Sequence, residues 1–202
     1  MTDDEGRLTE ASALSSVYRP PSTLIVGLGN PILGDDGVGW KVAEEVKREL
    51  EIGELTGHSP IFQSSVEVEF FALGGLSLME RLVGYDRAVI IDAVQTQKPP
   101  GAVSIFRLED FPDRSGANLT AAHDTSLQKA LALGRQLGSH LPTEVWVVGV
   151  EAERLYDFSE TLTPAVEAAV RRAAQAVLTL LTQQVIVTGR NELLECMGLK
   201  AQ

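Results

Sequence analysis

The chain has 202 residues, a length that favours one domain with a substantial buried core. It carries 17 Lys and Arg against 28 Asp and Glu, and the resulting net charge of −11 argues against a nucleic-acid partner. Its single cysteine, Cys196, excludes an internal disulfide and a zinc site made of cysteines alone. No apolar run approaches the roughly 20 residues that span a bilayer, and the acidic N-terminus lacks the pattern of a signal peptide. We therefore expect a soluble, cytoplasmic protein without a membrane partner.

Apolar runs alternate with amphipathic segments along the chain. Residues 23–27 form a short apolar run that is typical of a strand buried on both faces. Over 38–50, apolar residues recur every four positions and predict a helix. The later segments predict strands over 66–73, 87–92, 102–108 and 144–150, and helices after Gly74-Gly75 and over 124–137 and 164–181. Strands that alternate with helices predict an α/β fold with a mostly parallel sheet covered on both faces.

The two ends of the chain differ from its centre. Residues 1–21 are polar and are interpreted as a flexible leader, residues 22–183 as a single α/β domain, and residues 184–202 as a C-terminal tail of undecided structure. In a parallel α/β sheet, ligands bind beyond the carboxyl ends of the strands. The loops that follow the strands are therefore the places to search, and the polar loop over 109–122 is long enough to suggest a functional role.

The loop after the first predicted strand carries two motifs. Gly27 and Gly29 begin like a dinucleotide-binding loop, but such a loop requires a third glycine where this chain has Ile32, so nucleotide binding is not expected. Asp35 and Asp36 follow just before the predicted helix. They either cap that helix or bind a divalent cation and activate water, and one acid of the pair can do each.

Two further residues lie at the same predicted edge of the sheet. His123 ends the long polar loop and precedes a helix; imidazole is a common ligand of nickel and zinc, and a structural histidine is the alternative. Asp92 closes the third predicted strand, and we expect its carboxylate to bond to amides of neighbouring loops rather than to a metal. His58 and His140 are interpreted as surface residues. The sequence has no Gly-x-Ser-x-Gly nucleophile elbow, and Cys196 has no evident base.

The string LIVGLGNPILGDDGVG over residues 24–39 closely resembles the opening of the [NiFe]-hydrogenase maturation endopeptidases. Other motifs of that family follow in order. They are Gly74-Gly75 after the second predicted strand, Ile91-Asp92-Ala93 at the end of the third, His123 before its helix, and the segments 148–151 and 162–167. The resemblance covers about residues 23–182, and several motifs in the same order are more specific than any one of them.

This resemblance implies a three-layer α/β/α sandwich with a five-stranded sheet. It also implies an aspartic-type endopeptidase that removes a C-terminal extension from the nickel-loaded hydrogenase large-subunit precursor. The nickel is carried by that partner, and another divalent ion can take its place in a crystal. Asp36 and His123 match the acid of the first loop and the histidine that contact metal in the family, so they are the expected catalytic and metal-binding residues. The enzyme is expected to be a monomer.

The family pattern has a further acid just before the double glycine, where this chain has Leu73. Leucine cannot bind a cation, so substrate thiolates, water or another acid must complete the metal shell. Glu69 lies four residues back along the predicted strand, roughly 13 Å away and beyond the reach of a ligand. Asp92, at the end of a strand expected to be adjacent, is the better substitute.

Two alternatives to this interpretation stay open. The first predicted strand also resembles that of peptidyl-tRNA hydrolases, but their Thr-Arg-His-Asn segment is missing here and the net charge of −11 disfavours tRNA. A non-catalytic nickel-sensing chaperone or binding module is the second alternative, because Leu73 removes one acid. Neighbouring hydrogenase genes would support either maturation role, and loss of the precursor's tail would distinguish the enzyme from the chaperone.

Overall fold

A five-stranded sheet forms the centre of the computed structural model, which describes residues 22–55, 66–110, 126–155 and 157–182. The strands are β1 (Thr23–Leu28), β2 (Val66–Phe71), β3 (Arg87–Val94), β4 (Val103–Arg107) and β5 (Glu144–Glu151). Their order in the sheet is β2-β1-β3-β5-β4, and of these strands only β4 is antiparallel to its neighbour. The predicted mostly parallel sheet is confirmed. The carboxyl ends of β1, β2, β3 and β5 share one edge, which we call the carboxyl edge.

Within the described ranges, five α-helices accompany the sheet. They are α1 (Val38–Leu55), α2 (Gly75–Arg81), α3 (Leu127–Gln136), α4 (Pro164–Glu167) and α5 (170–182), with short 3-10 helices at Gly34–Gly37 and Leu108–Asp110. The single helix predicted over 164–181 is divided, because residues 168–169 form a turn between α4 and α5. In this part of the chain, no helix has the length and apolar character needed to cross a membrane.

The helices form a layer on each face of the sheet. α1 and α5 pack against one face, where Ile25 of β1 and Ile91 of β3 are completely buried. α2 and α3 pack against the other face, over Val26 and Ile90. Since neighbouring residues of a strand point to opposite faces, β1 and β3 are apolar on both sides, as expected for a parallel sheet between helices. The three-layer α/β/α sandwich implied by the resemblance is confirmed.

The strands β3 and β5 are longer than predicted at their carboxyl ends. They stay paired residue by residue until Val94 meets Glu151. Asp92 therefore lies inside β3, opposite Gly149, and not at the end of the strand. Its position in a buried strand limits the loop amides that can reach it.

Part of the sequence interpretation concerns residues that the structure does not describe. The leader 1–21, the tail 184–202 and the segment 111–125 lie outside the described residues. The last of these includes His123, so its predicted role stays a prediction. The boundaries proposed for the single domain likewise stay a prediction.

Candidate active site

Glycines allow α1 to begin directly against the sheet. A Cβ atom on Gly39 would lie 2.2 Å from the carbonyl oxygen of Leu28 and 2.4 Å from that of Ile91. A Cβ atom on Gly27 would lie 2.6 Å from the carbonyl oxygen of Gly39. A side chain at either position would push the helix away from β1 and β3. The two glycines therefore hold the start of α1, and Asp36 just before it, over the carboxyl edge.

The loop between β1 and α1 folds back on itself. Gly29 has a φ of +117°, in the region that favours glycine, and a Cβ atom there would lie 1.8 Å from the carbonyl oxygen of Asp36. The amide of Asn30 donates a hydrogen bond to Asp36 Oδ2 at 2.6 Å. This turn fixes the Asp36 carboxylate close to the end of β1.

Asp35 has a different role from Asp36 although the two are adjacent in sequence. The Asp35 side chain is completely buried. Its carboxylate accepts hydrogen bonds from the amides of Glu153 and Arg154 and from the amide and hydroxyl of Thr163, at 2.7–3.0 Å. Among the described residues, neither acid bonds to an amide of the first turn of α1, so the helix-capping prediction is wrong. Asp35 instead ties the β1–α1 loop to the segment after β5.

Asp36 and Asp92 lie at the carboxyl edge in surroundings that shift the pKa of each carboxyl. Burial raises the pKa of the half-buried Asp36 above its usual value, and the hydrogen bond from Asn30 offsets this in part. Burial also raises the pKa of Asp92 well above the usual value, the negative charge of Asp36 raises it further, and a hydrogen bond from the Ala93 amide opposes the change. The charge of Asp36 is thus the second cause of the raised pKa of Asp92, after burial.

The order of the strands brings these two acids together. β3 lies next to β1, and the register pairs Gly27 with Ile91. Asp92 is the next residue of β3 and stands level with the end of β1, where the loop that leads to Asp36 begins. Two desolvated carboxylates with few hydrogen-bond donors favour a nearby cation, because its positive charge offsets both their burial and their mutual repulsion. The pair is therefore a candidate site for a divalent cation or for an activated water molecule.

Of the two predicted site residues, the structure describes one. Asp36 lies at the carboxyl edge, as expected, whereas His123 is outside the described residues. Within the described ranges, no three His, Cys, Asp or Glu side chains form a metal-binding group. Asp36 and Asp92 thus provide two carboxylates, and a third ligand has to come from elsewhere in the chain, from water or from a substrate.

Of the two acids considered in place of the missing family acid, Asp92 is the one that the strand register brings to the carboxyl edge. Leu73 lies just beyond β2, is 38 % exposed and offers no ligand atom. Glu69 pairs with Val26, back along β1 from the carboxyl edge. The interaction between Asp92 and Asp36 agrees with the substitution that the sequence favoured. Asp92 was expected to bond to amides of neighbouring loops; in the described part of the chain the one amide bonded to it is that of Ala93, its own neighbour, and the loop over 111–125 lies outside the described residues.

Sequence reasoning gave no role to Glu151, the buried last residue of β5. Its carboxylate accepts hydrogen bonds from the Thr96 amide at 2.6 Å, the Thr96 hydroxyl at 2.7 Å and the Lys98 amide at 3.2 Å. Glu151 therefore shapes the loop that follows β3 beside the acid pair. The sequence feature that could have indicated Glu151 is a carboxylate at the end of an apolar strand, the same pattern that indicated Asp92.

A cleft of about 440 Å³ lies away from the acid pair, beside the amino end of β5. Charged residues line it, among them Arg107, Arg135 and Glu144. Arg107 and Glu144 already form an ion pair at 3.1 Å, so their charges are balanced. Neither Asp36 nor Asp92 lines this cleft, and the acid pair at the carboxyl edge is the better candidate site.

The fold and the acid pair indicate a class of protein. Interacting carboxylates at the carboxyl edge of a parallel α/β sheet are suited to cation binding and to hydrolysis by activated water. The chain has neither a complete dinucleotide-binding loop nor a serine nucleophile elbow. These features favour a hydrolase that has an α/β fold and a candidate site made of carboxylates.

The chain belongs to the hydrogenase maturation protease family. The family model "HycI: Hydrogenase maturation protease" matches residues 65–180. The protein named "Hydrogenase expression/formation protein HupD" from Thiocapsa roseopersicina is 28 % identical over 172 residues, which cover 85 % of this chain and 73 % of the relative. HoxM from Azotobacter vinelandii, also named a hydrogenase expression/formation protein, is 27 % identical, with 85 % of this chain and 78 % of the relative covered.

Solved structures agree with this family. The hydrogenase maturating endopeptidase HybD from E. coli superposes with a TM-score of 0.62 at 25 % identity, covering 81 % of this chain and 93 % of HybD. A solution structure of an endopeptidase from Escherichia coli gives 0.63 at 28 % identity, with the same coverage. The predicted fold, the predicted family and the assignment as a peptidase of hydrogenase maturation are confirmed, and the peptidyl-tRNA hydrolase alternative is not supported.

Proposed function

We propose that this protein is an endopeptidase that removes the C-terminal extension of the nickel-loaded large-subunit precursor of a [NiFe]-hydrogenase. Membership of the hydrogenase maturation protease family supports the reaction class. The observation that carries the proposal is the strand register, which sets the buried Asp92 level with the end of β1, where the loop that holds Asp36 begins. A pair of carboxylates with few donors is suited to a cation that arrives with the substrate. The nickel is then part of the substrate and not a resident cofactor.

In this mechanism, Asp36, Asp92 and His123 contact the nickel of the precursor. Carboxylate and imidazole are suitable partners for this metal, and thiolates of the precursor or water complete its shell. Arrival of the positive charge favours the ionised form of both carboxylates, so it lowers their pKa values relative to the free enzyme. The contact places the peptide bond of the extension at the carboxyl edge.

Hydrolysis then requires one activated water molecule. Its oxygen attacks the carbonyl carbon of the peptide bond, and its protons end on the released amine and on solvent. Either an ionised carboxylate accepts the first proton or the nickel lowers the pKa of the water. Asp36 is the half-buried acid of the pair and is therefore the one accessible to this water.

The decisive experiment mixes the purified protein with nickel-loaded precursor and follows loss of the extension by mass spectrometry. We expect cleavage by the wild type and none by Asp36→Ala or His123→Ala, with all three proteins folded. Asp86→Asn, at the opposite end of β3, is the control and should cleave normally. Wild-type rates for Asp36→Ala or His123→Ala would remove that residue from the mechanism. Binding of the precursor without cleavage by the wild type would instead favour the chaperone alternative.

Further properties of the enzyme belong to the same proposal. It is an aspartic-type peptidase, acts in the cytoplasm and meets the precursor as a monomer without nucleic acid or a membrane. The formal charge of −11 supports the absence of a nucleic-acid partner. Light scattering measures the molar mass of the purified protein in solution. The mass of a dimer would contradict the proposed monomer.

A further inference from the structure

Two exposed apolar side chains lie on or against the loop that carries Asp36. Phe158, in the segment after β5, is 87 % exposed, and Ile32, in the β1–α1 loop, is 48 % exposed. Single exposed apolar residues are common, but a phenyl ring that is almost wholly in water beside a candidate active site is a candidate contact for a partner.

Backbone hydrogen bonds place the two residues next to each other. The Ser159 amide donates to the carbonyl oxygen of Ile32 at 3.1 Å, and the Gly34 amide donates to the carbonyl oxygen of Ser159 at 2.7 Å. Ser159 and Leu33 form a parallel β-bridge. Phe158 therefore stands one residue from this bridge, and Asp36 follows Leu33 by three positions. Ile32 and Asp36 belong to the same loop, and Phe158 lies against that loop.

The buried carboxylate of Asp35 holds this arrangement. It binds the amides of Glu153 and Arg154 before Phe158 and the amide and hydroxyl of Thr163 after it. The Asp35 amide also donates to the carbonyl oxygen of Arg154 at 3.0 Å. A contact surface that is ordered before its partner arrives loses less entropy on binding.

The charges around Phe158 indicate the chemistry of the partner. The segment after β5 has three exposed acids, Glu153, Asp157 and Glu160, against one cation, Arg154. Arg154 lies 3.9 Å from Asp157, so a negative excess remains on the surface. Such a surface attracts lysine and arginine, and it repels both a second copy of this acidic chain and an anionic membrane.

We propose that Ile32 and Phe158, together with Glu153, Asp157 and Glu160 of the segment after β5, form a docking surface for the large-subunit precursor. This group of five residues is called the Phe158 surface. Its occupant is a segment of the precursor that presents an apolar side chain next to lysine or arginine. The inference rests on the proposed function and adds a binding contact that is separate from the nickel. It gives the enzyme affinity for the precursor before the metal reaches Asp36.

The experiment compares Phe158→Ser and Ile32→Ser with Leu137→Ser in steady-state cleavage of nickel-loaded precursor. Leu137 is 75 % exposed at the end of α3 and is a matched apolar control. Phe158→Ser should raise KM about tenfold, as expected when one central apolar contact is lost. Its kcat should stay within about twofold of the wild type, because no reacting group changes. Ile32→Ser should raise KM less, and Leu137→Ser should change neither constant.

The role of the negative charge on the Phe158 surface is tested with the variant Glu160→Lys and with increasing salt concentration. The Glu160→Lys substitution should raise KM. Increasing the salt concentration from about 50 to about 500 mM should raise the KM of the wild type more than that of Glu160→Lys, because salt screens attraction between exposed charges. A wild-type KM in Phe158→Ser, with the wild type active, would overturn the Phe158 surface and leave the proposed function intact. An inactive wild type would overturn both. A wild-type dimer that Phe158→Ser dissociates without a change in KM would show that the occupant is a second copy, which also overturns the proposal.

Discussion

Two aspartates near the opposite ends of β3 have opposite environments. Asp86, just before the strand, is partly buried, but hydrogen bonds from Ser22 at 2.9 and 3.1 Å and from His140 at 2.9 Å outweigh the effect of burial and lower its pKa. Asp92, near the carboxyl end, is fully buried with one amide donor in the described part of the chain, and its pKa is raised well above the usual value. The same residue type is thus stabilised as an anion at one end of the strand and destabilised at the other.

The difference separates structural acids from candidate functional ones. Asp86 holds the start of β1 to the start of β3, and Asp35 holds two loops together; both have several donors. Asp36 and Asp92 have few donors and repel each other. A carboxylate pair of this kind costs stability in the free protein, and a cation relieves the cost. The four predictions below test this separation.

The largest expected effect is the loss of cleavage activity when Asp36 is replaced. Asp36→Asn keeps an oxygen that accepts the hydrogen bond from Asn30 but removes the charge that would contact the nickel. We expect cleavage of the precursor to slow by at least about 100-fold, in the range observed when one electrostatic contact to a transition state is lost. The thermal unfolding temperature should not fall. A cleavage rate near that of the wild type would place Asp36 among the structural acids.

The next effect is on stability and concerns Asp35. Asp35→Ala leaves three amides and a hydroxyl without their buried acceptor, which should lower the free energy of unfolding by about 2–4 kcal/mol. Urea denaturation at pH 7 measures this change. Asp35→Asn, which retains one acceptor oxygen, is the matched variant and should lose less. A loss below about 0.5 kcal/mol in Asp35→Ala would show that the loop contacts do not depend on this carboxylate.

Asp92→Asn should stabilise the free protein at neutral pH. The raised pKa means that native Asp92 keeps a proton that the unfolded chain has released, so the free energy of unfolding of the wild type falls as pH rises from the ordinary value of 3.8 through the raised pKa. Asn has no such proton to lose. The variant should therefore gain on the order of 1 kcal/mol over the wild type at pH 7, and the gain should vanish at acid pH. Denaturation curves recorded between about pH 4 and about pH 8 measure this gain, because raised pKa values of buried acids fall in that range.

Asp86→Asn should have the smallest effect, with the opposite sign. The lowered pKa of Asp86 contributes stability that is present above the unfolded value and is lost as pH falls through the folded value. The variant should be less stable than the wild type at pH 7 by less than about 1 kcal/mol, because solvent screens this partly exposed carboxylate. The two proteins should become equal at low pH. A stabilising effect at pH 7 would contradict the contrast with Asp92.

The sequence predicted the parts of the fold that depend on local pattern. The four-residue spacing predicted α1 from Val38, and the apolar runs predicted β1, β3 and β5. It also directed attention to the carboxyl edge and to Asp36. It did not predict the turn at 168–169, which breaks an apolar pattern that continues on both sides.

The parts that the sequence could not predict depend on contacts between distant residues. Asp35 meets Thr163 at a separation of 128 positions, and no local pattern indicates which of two adjacent acids makes that contact. The interaction of Asp36 with Asp92 requires β3 to lie next to β1, and this follows from the order of the whole sheet. The family pattern pointed to the position of Leu73, and the sequence already favoured Asp92 over Glu69 in its place; the register of β1 and β3 supports that choice.

The central claim is that Asp36 and Asp92 share one cation-binding position. A carboxyl NMR titration of the full chain, with and without added nickel ions, tests it most directly. We predict that Asp92 titrates at a higher pH than Asp86 and that nickel perturbs the carboxyl signals of Asp36 and Asp92 together while leaving Asp86 unchanged. The claim is contradicted if Asp92 titrates at or below Asp86, or if nickel perturbs Asp36 without Asp92.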